Sequence, residues 1–109
     1  MPRDYRLQIT DILDAITFIE QITDGISVKN FKSNRLVRDA VIRNLQVIGE
    51  AVRVLPDEVK NKSVDVQWHK IAGMRNMIIH EYFGIDMDII WNVVKEKLPE
   101  LKVACNFLL

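Results

Sequence analysis

A chain of 109 residues, 49% of them hydrophobic, with fifteen Lys+Arg against fifteen Asp+Glu, has the material for one core and is not a disordered tail. Its zero net charge excludes strong, indiscriminate binding to nucleic acid. Its single cysteine, Cys105, excludes an intrachain disulfide and fits a reducing compartment.

The periodicity is helical almost throughout, and residues 1–109 read as one domain. The start, Met1-Pro2-Arg3-Asp4-Tyr5-Arg6, carries an acid and no apolar run comes after it, so it does not read as a signal peptide. In the first helix Ile9, Ile12, Leu13, Ile16 and Ile19 recur at three- and four-residue steps, and Gly25 suits its stop. Residues 27–32 form a short helix or a turn. Ser33 is placed to cap a long second helix with Val37, Ala40, Val41, Asn44, Leu45, Ile48, Ala51 and Val52 on one stripe, ended by Pro56. Gly49 lies inside it, where glycine costs about 1 kcal/mol relative to alanine. It either admits a second backbone closely or is a tolerated accident.

A connection spans 56–66, with room for one helical turn. A third helix starts near Val66 or Gln67 and runs to about Glu81, with Trp68, Ile71, Met74, Ile78 and Ile79 apolar. Asp86 caps a fourth, whose apolar face includes Ile89, Ile90, Val93 and Val94. Pro99 suits the first turn of a final short helix with Leu101, Ala104, Phe107 and Leu108 inward. The expected fold is all-α: an up-and-down bundle of four main helices with short extras. The slightly positive mean hydropathy suggests that a second subunit covers part of the surface, giving a homodimer. No segment reaches the ~18 uninterrupted apolar residues of a membrane span, so a cytoplasmic location is expected.

Charge is unevenly spread. Lys29, Lys32, Arg35, Arg38 and Arg43 face only Asp39 over 29–43, while Glu81, Asp86, Asp88, Glu96 and Glu100 face Lys95 and Lys97 over 81–100. Two solvated helix faces, or a basic surface that recruits a polyanion, both fit. Metal-binding bundles use Glu-x-x-His, but Met77 and Val66 stand three before His80 and His69. No glycine-rich phosphate loop, Gly-x-Ser-x-Gly elbow or cysteine cluster occurs. No cofactor is called for. Trp68 and Trp91 read as core, and His69 as a surface or capping residue.

The remaining chemistry lies in Arg75-Asn76-Met77-Ile78-Ile79-His80-Glu81-Tyr82. A guanidinium grips phosphate and an imidazole moves protons near neutral pH. At 100° per residue Arg75 and Tyr82 lie about 20° apart, but Arg75 and His80 about 140° apart. Arginine length, a helix end near His80 or a two-fold interface would bring the last two together. RNA cleavage by the 2′-hydroxyl needs a base, an acid and a cation, and a symmetric dimer supplies two of each residue. A buried structural pair fits the same residues.

This octapeptide resembles the motif of the HEPN superfamily, Arg, an adjacent polar residue, then His, and Glu81-Tyr82 extends it to the HepT-like pattern Arg-x4-His-x-Tyr. The stretches 38–51, 68–74, 82–86 and Leu98-Pro99 support the resemblance over nearly the whole chain. It implies an all-helical dimer with the motif lining a cleft at the two-fold axis. It also implies a metal-independent ribonuclease toxin of a toxin–antitoxin pair. Its antitoxin would be an MNT-type nucleotidyltransferase that transfers AMP from ATP to the motif tyrosine. Carried across, Arg75 and His80 become the catalytic pair, Asn76 a phosphate or His-orienting contact, and Tyr82 the modification site. No metal is implied. The other functional reading is a non-catalytic module that binds a nucleotide or the nucleotidyltransferase.

Overall fold

A computed structural model describes residues 4–80 and 84–109, the side chains of Ile79 and His80 excepted. The described residues are all-α, with no strand. Helix α1 spans Tyr5–Thr23, and the Asp4 carboxylate accepts from Arg6 N–H to cap it. Its Ile9, Ile12, Ile16 and Ile19 are fully buried, as the three-four spacing requires. Gly25, at φ +73°, supplies the left-handed residue after its end.

Helix α2 (Val28–Ser33) is capped by Ser27 and buries Phe31. Helix α3 (Arg35–Val54) is capped by Asn34, whose Oδ1 accepts from Val37 N–H at 3.1 Å. The expected cap, Ser33, instead closes α2, with its hydroxyl donating to the Asn30 carbonyl. One extended residue between α2 and α3 leaves Asn34 alone at the boundary. Leu55 and Pro56 end α3, and the single turn α4 (Asp57–Lys60) comes next.

Helix α5 (Trp68–His80) begins two residues after Val66. Trp68 is buried and its indole N–H donates to the carbonyls of Lys60 and Ser63, pinning the 61–67 loop. Helix α6 (Met87–Asn92) is capped by the Asp86 carboxylate, accepting from Asp88 N–H at 2.8 Å.

The expected break before Pro99 does not occur. A wide π turn over Val93–Lys97 joins α6 to α7 (Leu98–Leu108). Leu98 N–H donates to the Val93 carbonyl, a five-residue step. Pro99 has no N–H to donate to the preceding turn, and the wide turn lies where that bond is missing. Leu101, Ala104 and Leu108 point inward as expected, joined by Leu98 and Cys105, while Phe107, also expected inward, is 75% exposed. Ile89, placed on the apolar face of the fourth helix, is also exposed.

Four main helical units result among the described residues: α1, α3, α5 and the joined α6–α7. Helix α3 is the centrepiece, packed on α1 to one side and α5 to the other. Its Val41, Leu45, Ile48 and Val52 are fully buried. Helix α7 closes over α1, and α2 bridges α3 to α6. That bridge includes Phe31 against a half-buried Trp91, ring centroids 5.1 Å apart, and the ion pair Lys32–Asp88 at 2.8 Å. The basic 29–43 stretch is therefore partly answered by the acidic one, and Arg35 pairs with Asp39 within α3. Among the described residues no helix is long and apolar enough to cross a membrane.

Candidate functional site

Helix α5 brings Arg75 against α3 at the one position where α3 lacks a side chain. A Cβ on Gly49 would lie 2.9 Å from Arg75 Cβ and 3.3 Å from the Ile71 carbonyl oxygen. The close approach anticipated as one role for this glycine is realised at the motif arginine itself. The next residue of α3, Glu50, forms an ion pair with Arg75, Oε2 to Nε at 3.1 Å.

Glu50 is held from its other side. Arg53, one turn on, donates through Nε to Oε2 at 3.1 Å and through Nη2 to Oε1 at 2.7 Å. This bidentate geometry is the strong form of an arginine–carboxylate contact. The Arg53 hydrogen bonds hold the Glu50 carboxyl below its usual value, with the charges of Arg53 and Arg75 acting in the same sense against partial desolvation. The Arg53 guanidinium is raised reciprocally, first by its hydrogen bond to Glu50. Glu50 is therefore a carboxylate at neutral pH.

Arg75 keeps about a third of its side chain exposed (36%), and its Nη1 donates to Asn76 Oδ1 at 3.4 Å, at the long limit of a hydrogen bond. Asn76 itself is exposed. A groove of about 430 Å³ opens here, lined by Gln8, Asp11, Arg43, Gln46, Glu50 and Arg75 among others. Two arginines and two carboxylates share it, so it is polar but not uniformly basic. The larger groove, about 760 Å³, lies elsewhere, between the 62–67 loop, α5 and α7, and includes none of the motif residues. Ile71, Met74 and Leu101 line it together with Lys62, Lys70 and Lys97.

His80 lies in α5, so the motif's arginine and histidine share one helix. The His80 side chain and Tyr82 lie outside the described residues. Arg75 is thus brought to Asn76 and to the groove. Glu50 and Arg53 are partners that the sequence alone left unassigned. Their signal was a glycine followed by an acid–base pair three apart, which is also the pattern of an ordinary solvated helix face. Among the described residues no group of three or more His, Cys, Asp or Glu side chains is gathered to hold a metal. His69 is exposed at the start of α5, away from this arrangement in sequence and role.

Comparison with known proteins gives a consistent result. The profile of the family described as ribonuclease HepT-like matches residues 12–108. A probable ribonuclease HepT of Thermococcus cleftensis is 38% identical over 102 residues, covering 94% of this chain and 93% of that one. A candidate RNase of Methanocaldococcus jannaschii is 39% identical over 100 residues, 92% of each chain. Another, from Caldanaerobacter subterraneus, is 41% identical over 101 residues, 93% of this chain and 88% of the other. No solved structure matches.

Proposed function

Since this chain belongs to the ribonuclease HepT-like family, we propose that it is a metal-independent RNA endonuclease that acts as a dimer in the cytoplasm and serves as the toxin of a toxin–antitoxin pair. The observation that carries the reading is Arg75, ion-paired to Glu50 beside a polar groove and sharing one helix with His80.

In this reaction the ribose 2′-hydroxyl attacks the adjacent phosphorus as the bond to the 5′-oxygen breaks. One imidazole takes the 2′ proton and a second gives a proton to the leaving oxygen. A two-fold cleft supplies both from His80 of two copies. The Arg75 guanidinium faces the charge that grows on the non-bridging oxygens, and Asn76 orients phosphate or imidazole. The products are a 2′,3′-cyclic phosphate and a 5′-hydroxyl, with no water consumed in this step.

Silencing is assigned to Tyr82. An MNT-type nucleotidyltransferase antitoxin moves AMP from ATP to the phenol oxygen, releasing pyrophosphate. Seven residues from Arg75 on a helical register, the added phosphodiester occupies the guanidinium and its adenosine blocks the cleft.

Purified protein is tested on RNA with and without EDTA, beside Arg75→Ala and His80→Ala. Cleavage should persist in EDTA and vanish in both variants while the dimer remains. His80→Ala cutting as fast as wild type would sink the mechanism. If ATP or AMP binds but no variant cuts, the chain is a nucleotide-binding module instead. Intact mass after co-expression with the neighbouring reading frame tests the partner. Mass steps of AMP that disappear in Tyr82→Phe support both the modification and its site.

A further inference from the structure

The contacts around Arg75 raise a question that the proposed reaction leaves open: what fixes a long, partly exposed side chain well enough to serve a transition state? An arginine on a helix surface has four flexible torsions, and misplacement of a catalytic group by about 1 Å can cost on the order of 100-fold in rate. Two features of α3 restrain it. Gly49 lets α5 approach until Arg75 Cβ is in tight contact, which fixes the root of the side chain. Glu50 then meets it at Nε, partway along, and Arg53 holds Glu50 by two hydrogen bonds.

We infer that Glu50, locked by Arg53, is a positioning residue that aims the Arg75 guanidinium into the polar groove for a phosphodiester. This inference rests on the ribonuclease reading of the site and names a residue pair that the motif does not contain. The chemistry favours aiming over simple neutralisation. A carboxylate on the Nε side leaves the Nη side as the fork that grips a phosphate bidentately. The Arg53 clamp matters for the same reason, because a mobile glutamate would transmit its own freedom to Arg75. The three residues lie on exposed or half-buried surface, so the cluster contributes little to folding, and its effect is expected in catalysis.

The experiment uses the full chain with Glu50→Ala, Glu50→Gln and Arg53→Ala, each checked by circular dichroism and melting. Steady-state cleavage of an RNA substrate is measured with the Arg75 Nε–Hε NMR signal, assigned by its loss in Arg75→Lys. Glu50→Ala should lower kcat at least about 10-fold with KM changed less than about threefold, since the arginine serves the transition state. Glu50→Gln, which keeps an oxygen for Nε, should recover part of the rate. Arg53→Ala should fall between wild type and Glu50→Ala. The Nε–Hε signal should shift and exchange faster in the same order. Equal rates and an unmoved signal in folded Glu50→Gln and Glu50→Ala would overturn the inference. A faster or tighter-binding Glu50→Ala would overturn it too, showing Glu50 to be a competitor of phosphate. If wild type itself fails to cut RNA while the Nε–Hε signal still answers to Glu50 and Arg53, the aiming contact stands and the ribonuclease reading falls.

Discussion

Gly49 and Arg75 are in contact through an atom that glycine lacks: a Cβ built on Gly49 would sit 2.9 Å from Arg75 Cβ. The neighbouring obstacle is backbone, the Ile71 carbonyl at 3.3 Å, and backbone cannot rotate aside. Alanine would raise the intrinsic helix preference of α3 by about 1 kcal/mol. It would also force α3 and α5 apart, at about 1–3 kcal/mol. Gly49→Ala is therefore expected to destabilise the fold by about 1 kcal/mol net in urea unfolding and to lower RNA cleavage by more than the stability loss explains. An alanine variant at least as stable as wild type would show that the helices are free to separate here.

The Glu50 carboxyl is lower in the folded chain than in the unfolded one, chiefly through its hydrogen bonds to Arg53. A depressed carboxyl contributes stability above its unfolded value and loses that contribution as the pH falls through its folded value. The loss therefore lies on the acid side of the ordinary carboxylate range and leaves neutral pH untouched. Glu50→Gln is expected to flatten the acid limb of the stability–pH curve while leaving its shape above pH ~6 unchanged. Urea midpoints across an acid-to-neutral series check this. An altered slope near neutrality would contradict it.

Much of the fold was legible because the apolar spacing alone reveals helices buried along one stripe. Ile9 to Ile19 and Val41 to Val52 show this. The cap at Asp86 and the left-handed Gly25 come from residue chemistry. Two features escaped for physical reasons. Ser33 and Asn34 are both good caps, and periodicity cannot choose between adjacent candidates. The π turn leaves no mark in composition, and in α7 the spacing places Leu101, Ala104 and Leu108 inward correctly but not Phe107, at the edge of the same stripe. At the candidate site, Arg75 and Asn76 stand out in the sequence by their chemistry, and the structure places their side chains next to each other. Glu50 was not, because its reach to Arg75 depends on how α3 and α5 pack, which local spacing does not encode.

Trp68 ties the carbonyls of Lys60 and Ser63 to the start of α5. Its indole N–H donates to Lys60 at 3.1 Å and Ser63 at 3.0 Å. Trp68→Phe keeps most of the ring and removes this donor, while the Lys60 carbonyl keeps its bond from Ser63 N–H and the Ser63 carbonyl its bond from Val66 N–H. A loss of about 0.5–1.5 kcal/mol is expected, with faster amide exchange across 61–67. A variant within a few tenths of wild type would show water replacing the indole at no cost.

Burial pushes the Cys105 thiol up to about 12, because the thiolate has no water around it. It is fully buried in the core. Native protein at pH 8 is expected to resist iodoacetamide or a disulfide reagent for hours, and to gain one adduct by mass once unfolded in urea. Rapid labelling under native conditions would mean that α7 opens readily from α1.

The phase of α7 can be read from two large residues on opposite sides of it. Six residues apart, Leu101 and Phe107 lie about 120° apart around α7, and Leu101 faces inward at 1% exposed while Phe107 is 75% exposed. Leu101→Ala opens a cavity and destabilises by about 2–5 kcal/mol. Phe107→Ser removes a ring that already meets solvent and should stay within about 0.5 kcal/mol. Urea unfolding of both variants under one condition decides it, because the comparison is between two positions of the same helix and cancels errors common to both. A large loss at Phe107 with Leu101→Ala nearly neutral would mean that α7 turns its other face to the core.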